Sequence, residues 1–233
     1  MSSLIKIKKN DELIIIENNP NDPNLNFWCN IYQNWENDTF QVFDKYLSKD
    51  KVFIDIGGWI GTTCIYGSKK SKKVYVVEAD KQSVKDLKYN SSLNSDNIEI
   101  IDKAIFNQSN LEIIFGKNLH LKNSKLNDST SQIYLNKENP TTNDEYKVET
   151  ITVKDLLLKY NIDPEQISLI KVDIEGSEEH ILNDLLELKN IYNLPIYVSF
   201  HYTWWSNLDL TRFQLKDLQK QMIIQNPFCS MIL

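Results

Sequence analysis

From residue 51 to residue 222 short apolar runs alternate with amphipathic stretches, and no other feature of the chain restricts its fold as much. Val52-Phe53-Ile54-Asp55-Ile56, Val74-Tyr75-Val76-Val77, Ile98-Glu99-Ile100-Ile101, Ile167 to Ile174 and Ile196 to Phe200 read as strands. Helical stretches fall between and after them: from the glycines at 57, 58 and 61 to about Ser68, Lys81 to about Leu93, about Thr152 onward with Leu156, Leu157 and Tyr160, Ser177 to Leu188, and Thr211 to Met222. Alternation of this kind predicts a doubly wound α/β fold, a mostly parallel Rossmann-like sheet with helices on both faces. Ahead of it, Leu4–Ile7 and Leu13–Ile16 flank a polar turn and predict a β-hairpin, and Asn37 to Leu47 has helical spacing. Leu111 to Phe115 reads as a further hairpin strand, and residues 117–146 are polar and without period, the pattern of a lid or a disordered loop. The expected division is a hairpin and loop over 1–36 and one domain over 37–233.

Composition narrows the function classes. Apolar residues make up 41% and charged residues 25%, enough to bury a core. The net charge is −6, and Arg212 is the single arginine among 26 basic residues. Arginine supplies the planar fork that grips phosphates and guanines, so both facts weigh against a nucleic-acid partner. Lys69, Lys70, Lys72 and Lys73 read as a solvated helix end. Cys29, Cys64 and Cys229 form no C-x-x-C pair and are odd in number, which fits a reducing compartment. No leader peptide and no membrane-length apolar run is visible, so the expectation is a cytoplasmic protein without a membrane partner.

The chemistry concentrates where the first strand of the alternation ends, at Asp55-Ile56-Gly57-Gly58-Trp59-Ile60-Gly61. In an open parallel sheet, ligands bind beyond the carboxyl ends of the strands, where strand order reverses. A dinucleotide fingerprint starting at Gly57 needs glycine at 59 and 62, where Trp59 and Thr62 stand, and no Gly-Lys-Ser/Thr occurs for a P-loop. The second strand ends at Glu78-Ala79-Asp80, and Glu78 lies 23 positions after Asp55. An acid at about 20 residues beyond a glycine turn takes ribose hydroxyls. A glycine turn without phosphate spacing, followed by a ribose acid, describes a nucleoside without a diphosphate, of which S-adenosylmethionine is the common one.

These pieces resemble the FkbM family of S-adenosylmethionine-dependent methyltransferases. The likeness runs through Phe53 to Gly61, Val77-Glu78-Ala79-Asp80, Asp102-Lys103-Ala104-Ile105, Ser129-Thr130-Ser131 and, most specifically, Ile170-Lys171-Val172-Asp173-Ile174-Glu175-Gly176-Ser177-Glu178. It covers roughly residues 45–205. The resemblance implies a class I methyltransferase fold and O-methylation of a sugar or other small molecule. It implies that Gly57, Gly58 and Gly61 hold the methionine end of the cofactor, that Glu78 holds the ribose and that the backbone at Lys103-Ala104 flanks the adenine, with Asp55, Ala79 and Asp173 completing the cofactor set. The chain departs from the family pattern in having Glu78-Ala79 for Glu-Pro, and Ser199-Phe200-His201 for Glu-x-His. Its tail, Phe228 to Leu233, is too short for the antiparallel hairpin that completes the fold, which suggests a truncated, cut or differently capped chain.

An alcohol acceptor needs its proton taken by a positioned base. The fourth and fifth strands bring His201, Asp173 and Glu175 as candidates, with His201 or Asp173 as the base and Glu175 as a helix-capping alternative. Asp173, Glu175 and His201 also have the donor types for Mg²⁺, but the missing glutamate at 199 weighs against a metal, and none is expected. Tyr202, Trp204 and Trp205 could stack on an acceptor ring or pack the last helix. His120 and His180 read as surface residues. The competing readings are a methyltransferase fold that binds without turnover and, less favoured, a nicotinamide-dependent oxidoreductase.

Overall fold

The computed structural model describes residues 3–119, 121–125, 128–201 and, as backbone, 223–225. The expectations placed on His120, on Tyr202, Trp204 and Trp205, on the helix from Thr211 to Met222 and on the tail from Phe228 lie outside the described residues.

The chain opens with β1 (Leu4–Lys9) and β2 (Glu12–Glu17), antiparallel, with Lys9 opposite Glu12. Asn10 takes a left-handed φ of 48° in the two-residue turn, a conformation asparagine tolerates. Helical turns at Phe27–Ile31 and Tyr32–Asn34 lead into α1 (Asn37–Tyr46). The alternation follows as β3 (Val52–Ile56), α2 (Cys64–Ser68), β4 (Lys73–Glu78), α3 (Lys81–Ser92) and β5 (Ile98–Asp102). Asp80 caps α3 by accepting from the N–H groups of Gln82 and Ser83 at 2.8 and 3.0 Å, a device worth about 1 kcal/mol. Next come β6 (Ala104–Ile105), β7 (Glu112–Gly116), β8 (Gln132–Tyr134) and β9 (Glu145–Ile151), then α4 (Val153–Lys159), β10 (Ile167–Val172), α5 (Leu182–Tyr192), β11 (Ile196–Ser199) and β12 (Ile223–Gln225).

The main sheet has the order β5-β4-β3-β10-β11-β12, and every pairing in it is parallel. Its winding reverses between β3 and β10, so their carboxyl ends frame the crevice where such sheets bind ligands. Alternate residues face opposite sides, which explains the two cores. Ile54, Ile56, Val77, Ile170 and Val172 pack with Leu156 of α4 and Leu185 of α5 on one side. Phe53, Val74, Val76 and Leu169 pack with Phe40 and Phe43 of α1, Cys64 of α2 and Leu87 of α3 on the other. The doubly wound architecture is therefore present, with helices on both faces. A second sheet, β6-β9-β7-β8, stands beyond β5. Among the described residues, no helix is long and apolar enough to cross a membrane.

Four local expectations are corrected. Residues 117–146 are not wholly irregular: β8 and the start of β9 lie in them and pair antiparallel with β7. The strand expected to Ile174 stops at Val172, and the helix expected over 177–188 is split into a tight turn at Ser177–His180 and α5 from Leu182. The split has a cause in Glu178, whose side chain turns inward to bind backbone. The lysines at 69–73 are not merely solvated: Lys70 pairs with Asp44 at 2.9 Å and Lys73 with Glu99 at 3.2 Å.

Candidate active site

The loop leaving β3 shows why glycine stands at 57. Gly57 has φ +84°, and a Cβ there would lie 1.8 Å from the Asp173 carbonyl oxygen. Its N–H and that of Gly58 both donate to the Val77 carbonyl, at 2.9 and 3.3 Å. A Cβ on Gly58 would sit 2.1 Å from Val76 Cγ2, and one on Gly61 2.7 Å from Ile65 Cδ1. These glycines let the turn pack against β4, β10 and α2. Gly57 lines the open cleft, whereas Gly58, Gly61 and Asp55 do not.

Glu78 closes the turn from the neighbouring strand. Its Oε2 accepts from the Trp59 N–H at 2.7 Å and its Oε1 from the Asp80 N–H at 2.8 Å. Burial pushes its carboxyl up to about 7, with those two hydrogen bonds pulling the other way. A carboxylate has about four lone-pair sites, and Glu78 lines the cleft, so acceptor capacity remains for a ligand.

The cleft has two lobes that share Gly57, Glu78, Phe115, Ser131 and Asp173. One is walled mainly by apolar groups, among them Ile56, Ala79, Ala104, Ile105 and Ile133, with Lys103 at its edge. The other is polar: Glu36, Asp80, Asp128 and Glu175 join Glu78 and Asp173, with Lys171 as the only cation among the described lining residues and Trp35 and Trp59 as flat apolar walls.

Beneath the cleft lies a buried ion network. Lys171 Nζ donates to the Gly57 carbonyl at 2.8 Å and pairs with Asp55 Oδ1 at 3.2 Å and Asp173 Oδ2 at 3.7 Å. Thr63 Oγ1 donates to Asp55 Oδ2 at 2.6 Å. Burial opposes the lysine's charge, but Asp55 and Asp173 more than offset it and hold the ammonium above its ordinary range. Asp55 is raised by burial, against the pull of Lys171 and Thr63. Asp55 thus anchors the turn from below.

The segment after β10 gathers the remaining candidates. Glu178 is fully buried, and its Oε1 accepts from the Ile174 and Gly176 N–H groups at 3.1 and 3.2 Å. The same oxygen lies 3.1 Å from His201 Nδ1 at the end of β11. His201 Nε2 lies 3.5 Å from Glu175 Oε2 and 3.8 Å from Asp173 Oδ1. Burial acts against the imidazolium, but the Glu178 hydrogen bond and the carboxylates of Glu175 and Asp173 prevail and raise His201 to about 10. Burial raises the Glu175 carboxyl. In this state His201 carries both ring protons at neutral pH.

The candidates Asp173, Glu175 and His201 are brought together, and Gly57, Glu78, Ala79, Lys103, Ala104 and Asp173 line one lobe. Reasoning from sequence missed Lys171 and Glu178 as members of the site, although both stand in the Ile170–Glu178 stretch. Their partners lie 116 and 23 positions away. His180 is not a free surface residue: its ring meets Phe106 edge-on at 5.0 Å.

Residues 55–221, well over half of the chain, match the family described as Methyltransferase FkbM domain. No curated protein matches. Among solved structures, the chain is similar to the methyltransferase FkbM of Methylobacillus flagellatus KT, with 17% identity and a TM-score of 0.45 over 72% of this chain and 38% of that one. It is also similar to an rRNA methylase of Streptococcus thermophilus, with 20% identity and a TM-score of 0.28 over 29% of this chain and 42% of the other. The chain spans less than half the length of either structure. The match over residues 55–221 carries the conclusion that the chain belongs to the FkbM methyltransferase domain family.

Proposed function

We propose that the chain is an S-adenosylmethionine-dependent O-methyltransferase acting on a hydroxyl of a small molecule or a sugar. The observation that carries this reading is Glu78, buried at the carboxyl end of β4 beside the switch point, with its carboxylate tied to the Trp59 N–H and still lining the cleft. The residues present fit the cofactor. The apolar lobe beside Ala79, Lys103 and Ala104 suits an adenine, Glu78 suits the ribose hydroxyls, and the acidic lobe suits a sulfonium and an ammonium. Crowding by Trp59 and the absence of phosphate spacing disfavour a diphosphate.

Bound there, S-adenosylmethionine supplies an electrophilic methyl group. The protein's contribution is to align an acceptor oxygen with it and to take the acceptor's proton. Asp173 is the better placed base, because it lines both lobes while His201 already carries its protons. Glu178 positions His201, and Lys171 positions Asp173. Six carboxylates face the polar lobe, so a neutral or cationic acceptor is favoured over a phosphate or a nucleic acid.

Incubation of the protein with S-adenosylmethionine and a panel of hydroxylated sugars and small molecules tests the reading. S-adenosylhomocysteine is expected to form only with some members of the panel, and NADPH is expected not to bind. Binding of S-adenosylmethionine without turnover on any acceptor would favour the non-catalytic reading. Binding of NADPH in its place would refute the cofactor.

A further inference from the structure

The hairpin at the start of the chain is tied to the cleft through one side chain. Lys9, at the end of β1, is fully buried, a place lysine takes only when its ammonium is well partnered. Its Nζ donates to the Gln33 carbonyl at 3.3 Å, to the Trp35 carbonyl at 2.5 Å and to Asn37 Oδ1 at 2.9 Å. The three N–H groups of the ammonium thus meet three acceptors, and the charge stands 4.2 Å from the centre of the Phe40 ring. Burial lowers the ammonium to about 8, against the field of Glu36, so it is charged at neutral pH.

Two of those acceptors, the Trp35 carbonyl and the Asn37 side chain, flank Glu36. That residue has φ 45° and ψ 48° at the entrance to α1, a left-handed backbone that disfavours any residue with a Cβ. Lys9 fixes the chain on either side of it. From the other direction, Thr39 Oγ1 donates to Glu36 Oε2 at 3.1 Å and lies 2.9 Å from the Tyr197 hydroxyl on β11. The backbone of Glu36 is therefore set from the hairpin and its carboxylate from the main sheet. Trp35 and Glu36 both line the polar lobe, in company with Gly57, Trp59 and Thr62 of the glycine turn. Lys9, Trp35 and Glu36 all precede residues 55–221, the part of the chain that matches the family.

We propose that Lys9 is a positioning residue, holding the Trp35–Glu36 corner so that the Glu36 carboxylate receives the α-ammonium of the cofactor's amino-acid end. The assignment rests on the S-adenosylmethionine reading above and names the residue that reads one end of that molecule. With the ribose on Glu78 and the adenine in the apolar lobe, the sulfur and the amino acid extend into the polar lobe, which shares Glu78. An ammonium is drawn both to a carboxylate and to the faces of aromatic rings, and this lobe offers Glu36 together with Trp35 and Trp59. A methionine at position 9 would fill the same space without burying a charge. It would lack the directed hydrogen bonds by which the ammonium fixes the corner, and a carboxylate held loosely binds its partner less well.

The test compares two ligands by calorimetry at neutral pH: S-adenosylhomocysteine, which has the amino-acid end, and 5′-methylthioadenosine, which lacks it. Glu36→Gln keeps the side chain's shape and its acceptor for Thr39. It is expected to weaken S-adenosylhomocysteine about tenfold or more and to leave 5′-methylthioadenosine unchanged. Lys9→Met is expected to show the same selectivity, with a loss of about fivefold. Asn37→Ala removes one acceptor of Lys9 at an exposed position and is expected to give a selective loss of about twofold, which keeps the test open should the methionine variant fail to fold. Equal weakening of both ligands by Lys9→Met and Asn37→Ala would show a general structural role and overturn the positioning. Undiminished binding of S-adenosylhomocysteine by Glu36→Gln would overturn the ammonium site and leave the cofactor reading standing. Binding of neither ligand by the wild type would overturn the cofactor reading, and this assignment with it.

Discussion

Lys171→Met is expected to cost about 3–5 kcal/mol of stability, the range for removing one partner of a buried ion pair. Methionine matches the length of the lysine stem, so the loss is not a packing defect. It leaves Asp55, fully buried, with only the Thr63 hydroxyl as a hydrogen-bond donor among the described residues and removes the donor to the Gly57 carbonyl. Burial already raises the Asp55 carboxyl in the wild type, and without the lysine that shift grows. The sign follows: a raised carboxyl binds its proton in the folded state first, so the variant loses stability as pH rises through the folded value. Urea denaturation is expected to show a larger deficit at pH 8 than at pH 5. Asp55→Leu added to Lys171→Met is expected to recover part of it, because it removes the orphaned charge. A deficit below about 1 kcal/mol, alike at both pH values, would mean that the network is no stronger than a surface pair.

Gly57→Ala is expected to be the most damaging of the conservative changes. A left-handed backbone costs a residue with a Cβ about 1–2 kcal/mol by itself. Here the Cβ would also fall 1.8 Å from the Asp173 carbonyl oxygen, so β3 and β10 must separate at the very point where the cleft forms. The total is expected to exceed about 4 kcal/mol, which places it in the rare class of substitutions that unfold a marginally stable domain. Soluble yield and melting temperature measure it. A variant that melts within a few degrees of the wild type would show that the strand ends yield easily.

Much of the architecture was legible because it is written in local periods. Val52–Ile56 is the strand that its sequence predicted, residue for residue, and Thr152 caps α4 with its side-chain oxygen on the Asp155 N–H at 3.0 Å. β8 escaped notice because three residues carry no readable period. The helix expected from Ser177 reaches too far because Ile181, Leu182 and Leu185 keep a helical spacing into the turn, while the inward rotation of Glu178 depends on His201, just past the end of β11. Lys171 reads as the charged end of an apolar run. Its role appears only when β10 pairs with β3 and sets it opposite Asp55 in register. The cleft's apolar lobe was half visible, in Ala79, Lys103 and Ala104, but Phe115 and Ile133 come from the second sheet, whose pairing the polar stretch concealed.

Calorimetric titration with S-adenosylmethionine, on the wild type and on Glu78→Ala at pH 8 and pH 6, bears most directly on the cofactor assignment. The Glu78 carboxyl, pushed up to about 7, is charged at the higher pH and largely protonated at the lower. Wild-type affinity is expected to fall as pH drops through that value. The variant is expected to bind at least tenfold more weakly at pH 8, about 1.4 kcal/mol, and to show no such pH dependence. Equal affinity in the two proteins at both pH values would contradict the placement of the ribose on this carboxylate.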